Sequence, residues 1–177
     1  MQYREKLVGP LILTLSLGFL FAPALIKSEA PVFRDTGHFY YPSMKWEKEQ
    51  WLSGEVPLWN QLENFGRPYL ADGSSSVFYP GKLLLFLPLK YVSIFTLYIV
   101  LHFVIAAFGS YWCGKRISGS SHGGLIACIS YTLGGCLLSL HCNLIYLVGA
   151  SWLPWAISAA FTLHQLPTIR SSARFAV

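Results

Sequence analysis

Three residues near the start of the chain could do chemistry together: Arg34, Asp35 and His38, in the run Arg34-Asp35-Thr36-Gly37-His38-Phe39-Tyr40-Tyr41-Pro42. A carboxylate such as Asp35 can take the proton of an acceptor hydroxyl when it comes within about 3 Å of that oxygen. A cation such as Arg34, Arg67 or Lys82 would neutralise charge on a departing phosphate. Asp-Thr-Gly is equally good capping and turn chemistry, so residue type leaves both roles open for Asp35. Asp72 could bind a ligand hydroxyl, although Asp72-Gly73 is first of all a turn. Trp46, Trp51, Trp59 and Tyr69 could stack on a ligand ring or anchor the chain at a membrane surface. His141 and Asn143 could approach a phosphate from a later segment, and His102 is an ionisable group deep in an apolar run.

The elements that must position these residues are set by composition. Of 177 residues, 54% are hydrophobic, 16% aromatic and only 12% charged, against about 25% charged in ordinary soluble chains. With a mean hydropathy of +0.47, this is the composition of an integral membrane protein. The formal charge of +5 is not spread over the chain. Seven cations and seven acids balance between Lys27 and Lys90, and the surplus sits at Arg4, Lys6, Lys115, Arg116, Arg170 and Arg174. That is a positive-inside distribution, which argues against nucleic-acid binding. Cys113, Cys128, Cys136 and Cys142 lie in or beside apolar segments with no Cys-x-x-Cys spacing, and read as small apolar residues.

A span needs about 20 apolar residues, and the chain offers four. Residues 1–6 form a cytoplasmic amino terminus, and 7–26 the first span, expected to be retained although Ala22-Pro23-Ala24 resembles a signal-peptidase site. Residues 27–90 form a large external loop with an interfacial helix from about Pro42 to Leu52, stopped by Ser53-Gly54. Leu83 to Leu87 reads as a re-entrant or interfacial piece held at headgroups by Lys82 and Lys90. Residues 91–112 make the second span, 113–122 a cytoplasmic loop, 123–142 the third span, 144–163 the fourth, kinked at Pro154, and 164–177 a cytoplasmic tail. Ala106, Ser110 and Gly114, and separately Ser130 and Gly134, offer small faces for close helix approach.

Asp35 and Tyr41-Pro42, then Gly54-Glu55-Val56-Pro57-Leu58-Trp59-Asn60, Gly66-Arg67-Pro68, Phe78-Tyr79-Pro80 and Trp152-Leu153-Pro154-Trp155 follow in a familiar order. The succession resembles the YfhO-like family of bacterial membrane proteins, multi-span relatives of the GT-C glycosyltransferases. The Gly-x-x-Pro-Leu-Trp-Asn run is its most specific part. The resemblance implies an all-α membrane fold, a GT-C-like amino-terminal half with the catalytic acid in the first external loop, where Asp35 is the matching position. It also implies transfer of a sugar from a polyprenyl-phosphate donor to a cell-envelope glycan or lipid acceptor. Arg34, His38, Trp59, Asn60, Arg67, Asp72, Lys82 and His141 are the candidate substrate-binding residues. Some family members use a divalent metal, but no His/Asp cluster here has ligand spacing and no cofactor is expected.

Family members continue through many more spans, so the likeness covers their amino-terminal part. The expectation is a multi-pass protein of the bacterial cytoplasmic membrane with both termini inside, surrounded by membrane lipids. A longer membrane protein is a possible partner. The alternatives are a non-catalytic membrane protein, either a truncated one or a subunit packed against such a partner through its small-residue faces, and, with less polar lining to support it, a small transporter with His102 on the pathway.

Overall fold

The computed structural model describes residues 15–165, apart from Leu20, Leu25, Ser28 and Val32. It is mostly helical, and three helical segments, not four, are long and apolar enough to cross a membrane among these residues: Tyr91–Ser118, Ser121–Cys142 and Leu144–Gln165. Much of the expected first span, 7–26, lies outside the described residues; 15–19 and 21–24 are helical. The expected tail, 164–177, lies outside them beyond Gln165.

The chain forms two compact units. One consists of Ala22–Leu101 and His141–Ile145, and the other of His102–Leu140 with the described residues of Met1–Phe21 and Tyr146–Val177.

In the first unit, a π-helical turn, Thr36–Tyr40, runs directly into helix α1, Tyr41–Leu52. Pro42 in the first turn has the fixed φ that a helix start wants and no N–H to leave unpaired. The helix ends where Ser53 Oγ donates to the Gln50 carbonyl and Gly54 takes a φ of +81°, the left-handed conformation that glycine adopts without a Cβ clash. After it comes a two-residue antiparallel ladder, β1 (Trp59–Asn60) and β2 (Arg67–Pro68), with Trp59 opposite Pro68 and Asn60 opposite Arg67. Gly66 precedes β2 with φ +108°, and a Cβ there would sit 2.7 Å from the Trp59 indole nitrogen, so the indole lies over a residue that must be glycine.

A 3-10 helix, Pro80–Phe86, follows. Its buried residues are Lys82 and Leu85 while Leu83 and Phe86 are exposed, so the expected pair of headgroup-anchoring lysines is corrected: Lys82 turns inward. The unit's packing is aromatic. Tyr41 meets Tyr91 and Phe95 edge-on at 4.8 and 5.0 Å, and Trp46 meets Tyr69 at 5.0 Å. Such pairs each contribute about 0.5–1.5 kcal/mol beyond area burial.

Helix α2 spans Tyr91–Ser118, six residues beyond the expected end of that span. Lys115 and Arg116 in its last turn suit the negative end of the helix dipole. Gly119 (φ +70°) breaks it, and Ser120 starts α3 (Ser121–Thr132) by accepting the Gly123 N–H on its side chain at 3.0 Å.

In the second unit α2 and α3 cross at backbone range. A Cβ on Gly114 would lie 2.4 Å from Ala127 Cβ and 2.9 Å from the Gly123 carbonyl. Cys128 Sγ lies 2.9 Å from the Ala107 carbonyl. The Ser130/Gly134 pair does not form a comparable face. Ser130 is exposed, and Leu133-Gly134 interrupts the expected 123–142 span, which resumes as α4 (Gly135–Ser139) and a 3-10 turn, Leu140–Cys142.

Helix α5, Leu144–Gln165, carries Pro154 inside it. Trp155 packs on the Cβ-free surface of Gly109 and donates its indole N–H to the Ile105 carbonyl at 3.0 Å. Arg116 donates to the Ser158 carbonyl and hydroxyl, both at 3.0 Å, and to Thr162 Oγ1 at 2.6 Å. His102 is fully buried in α2.

Candidate functional site

The polar residues of the first unit separate into an interior network and an exposed segment. The network centres on Glu47, whose side chain has no solvent exposure. Lys82 Nζ lies 2.5 Å from Glu47 Oε2, and Tyr69 donates its hydroxyl to the same oxygen at 3.0 Å. Glu47 Oε1 has no hydrogen-bond partner among the described residues. Burial pushes the Lys82 ammonium below the usual lysine range, with the Glu47 charge opposing that shift. Burial, reinforced by Glu47, pushes the Tyr69 phenol well above its ordinary range, so it stays a donor.

A second ionic group lies beside the first. Arg67 Nη1 is 2.7 Å from Asp72 Oδ2, and Arg67 Nε is 2.9 Å from Glu63 Oε2, close in charge but off the line of the N–H. Ser43 donates its hydroxyl to Glu63 Oε1. The guanidinium stacks 4.8 Å from the Phe39 ring centre and 5.8 Å from that of Tyr69, a cation–π arrangement suited to Arg.

Asp72 is a turn residue. Its Oδ1 accepts from the Ser74 N–H at 2.8 Å and the Ser74 hydroxyl at 2.7 Å. Burial alone would raise its pKa, but the Ser74 hydrogen bonds and the Arg67 charge outweigh it and hold the carboxyl below the usual range.

The exposed segment is the entry to the π-helical turn. Arg34, Asp35 and His38 are all exposed. Arg34 has φ +52°, a left-handed conformation rare for a side chain of its kind. Asp35 occupies the N-cap position of the turn, yet its carboxylate makes no capping bond. Next to it, Thr36 donates its hydroxyl to the His141 carbonyl, and Tyr40 donates to Asn143 Oδ1 at 2.7 Å. His141 therefore comes beside this segment through its backbone.

A cleft of about 460 Å3 opens beside the same turn. Its apolar walls are Phe39, Pro42, Trp46 and Leu62, and its polar lining is His38, Asn60, Glu63 and Asn64. Asn60 is almost fully buried, and its Oδ1 accepts the Leu62 N–H at 2.9 Å, which fixes the amide. Of the residues nominated from sequence, His38, Asn60 and the stacking candidate Trp46 meet in this cleft. Arg67 and Asp72 meet each other, Lys82 is committed to Glu47, and Trp59 covers Gly66 with its ring half exposed.

Glu47, Ser43, Glu63 and Tyr69 went unrecognised as a group. Glu47 and Lys48 interrupt the apolar stripe of α1, and a charge in such a position reads as solvent-facing. The available signal was the lone inward-facing spacing of Glu47 with Met44 and Ser43, which share its burial. No family model, curated protein or solved structure matches the chain. Three apolar helices of spanning length suggest a multi-pass membrane protein.

Proposed function

We propose that this chain is the amino-terminal part of a YfhO-like membrane glycosyltransferase of the GT-C kind. It moves a sugar from a polyprenyl-phosphate carrier to a cell-envelope glycan or lipid on the external face of the bacterial cytoplasmic membrane. In this reading Asp35 accepts the proton of the acceptor hydroxyl. The acceptor oxygen bonds to the anomeric carbon as that carbon's bond to the lipid phosphate oxygen breaks, and the phosphate leaves with the electron pair.

The observation that carries the reading is the state of the Asp35 carboxylate. It is exposed and uncapped, between a left-handed Arg34 and a π-helical turn. Backbone irregularities of both kinds cluster at functional sites. A turn-forming aspartate in this chain looks like Asp72, with both a backbone and a hydroxyl donor on one oxygen; Asp35 has neither. Because Arg67 and Lys82 are engaged by internal carboxylates, the leaving phosphate falls to Arg34.

The test is transfer from a radiolabelled polyprenyl-phosphate sugar to endogenous acceptor in membranes carrying Asp35→Asn. Loss of a general base lowers the rate by about 10²–10⁴-fold, and an exposed residue without partners leaves folding stability within about 0.5 kcal/mol. Transfer at the parent rate would remove Asp35 from the role.

A further inference from the structure

We infer that the cleft beside the π-helical turn binds a neutral carbohydrate, a pyranose ring without phosphate. The inference rests on the glycosyl-transfer reading only for which sugar substrate the ring belongs to; the binding chemistry is independent of it, and Asp35 is not among the cleft's lining residues.

The argument begins with the lining. A pyranose has an apolar C–H face and a rim of hydroxyls, so it needs an aromatic or aliphatic wall together with fixed donors and acceptors. Phe39 and Trp46 supply rings, and His38 and Asn60 supply polar atoms. Asn60 is oriented before any ligand arrives, because its Oδ1 holds the Leu62 N–H. The His38 imidazole is exposed on the same turn and can give or accept a hydrogen bond. At about 460 Å3 the space lies within the ordinary range of small-molecule sites, about 300–1,000 Å3.

The charge decides between a neutral and a phosphorylated sugar. Glu63 is the one acidic or basic side chain lining the cleft besides His38. The nearby guanidinium of Arg67 is already balanced by Glu63 and Asp72 at 2.9 and 2.7 Å. Among the lining residues a phosphate would meet a carboxylate and no lysine or arginine to offset it, and like charges brought together at an interface are strongly disfavoured. The lipid phosphate therefore belongs outside this cleft.

The experiment is saturation-transfer NMR on the full chain in detergent, with methyl β-glucoside, methyl β-galactoside and N-acetylglucosamine as neutral probes and glucose 6-phosphate as the charged one. At least one neutral sugar should give a saturable signal, with glucose 6-phosphate about tenfold weaker or worse, a difference of about 1.4 kcal/mol. Leu62→Trp, which fills the cleft from an exposed position, and His38→Leu, which removes a polar contact, should each weaken binding by about tenfold while the thermal transition is retained; if one variant does not fold, the other decides. No saturable signal from any neutral probe, equal or tighter binding of the phosphate, or indifference to the substitutions would overturn the inference. Binding without any transfer by the parent protein would sink the glycosyltransferase reading and leave this site standing. Transfer without sugar binding would do the reverse.

Discussion

Lys82 and Glu47 meet at 2.5 Å with almost no access to water: the lysine side chain is 7% exposed and the glutamate 0%. Two charges taken out of solvent stabilise a fold only while each keeps the other. Lys82→Met should lower stability by about 3–5 kcal/mol, since it strands a buried carboxylate. Pairing it with Glu47→Leu should recover most of that loss, because apolar replacements of similar volume are often neutral; the Tyr69 hydroxyl keeps the Ser43 carbonyl at 3.3 Å as a second acceptor. Thermal unfolding of the two variants in detergent checks the pair. A double variant as unstable as the single one would mean that the ion pair is not what holds the 3-10 helix to α1.

Asp72 makes the fold sensitive to acid. Its carboxyl is held below the ordinary aspartate value, so the folded state binds its proton less readily than the unfolded chain does. The contribution is present above the unfolded value and is lost as pH falls through the folded one. Asp72→Asn should therefore reduce stability at neutral pH and flatten the decline between those two values. Melting temperatures measured from neutral pH down to the acid limb would reveal it, and parallel curves for parent and variant would refute it.

Asn64, Phe65 and Gly66 take positive φ in succession, at 51°, 61° and 108°. Phe65 is fully exposed, so removing its ring sacrifices no packing. The left-handed conformation costs an L-residue roughly 1–2 kcal/mol, and glycine returns about 0.5–1 kcal/mol of that as chain entropy. Phe65→Gly should stabilise the loop by a net of about 0.5–1 kcal/mol in a chemical-denaturation experiment. Destabilisation would mean that the ring makes contacts that support the folded state.

Much of this architecture was legible in the sequence. Tyr91, Leu144 and the apolar runs that follow them begin helices close to where periodicity and length put them, because about 20 apolar residues in a row have few other solutions. The Asp72-Gly73 turn was legible too, since its chemistry is local. What escaped was whatever needed a distant partner. Lys82 looked like a headgroup anchor until Glu47, 35 positions earlier, came to meet it. The β1–β2 ladder is two residues long and carries no periodicity, and the interruption at Leu133-Gly134 hides inside an unbroken apolar run. In the candidate site, His38, Asn60 and, as a stacking ring, Trp46 were named, whereas Glu63 joins them only through the fold.

The crossing of α2 and α3 is set by glycine. At Gly114 a methyl group would collide with the Ala127 side chain and with the backbone at Gly123. Gly114→Ala should cost about 1–3 kcal/mol through overpacking. Gly149→Ala, an exposed helical position with nothing within 4 Å, should instead gain about 0.5–1 kcal/mol. Melting the two variants side by side separates the effects. Equal responses would mean that the close approach contributes nothing.

The interruption at Leu133-Gly134 has a consequence for the surroundings of Ser121–Cys142. The N-terminus of α4 has no side-chain cap, and the first amides of any helix lack partners within it. Acyl chains have no oxygen to offer them, and irregular backbone at membrane depth persists only beside water or protein. The main chain would thus dictate its own company: where Ser121–Cys142 crosses a bilayer, the break around Gly134 calls for a hydrated crevice or a protein neighbour, whatever the greasiness of the side chains on either side.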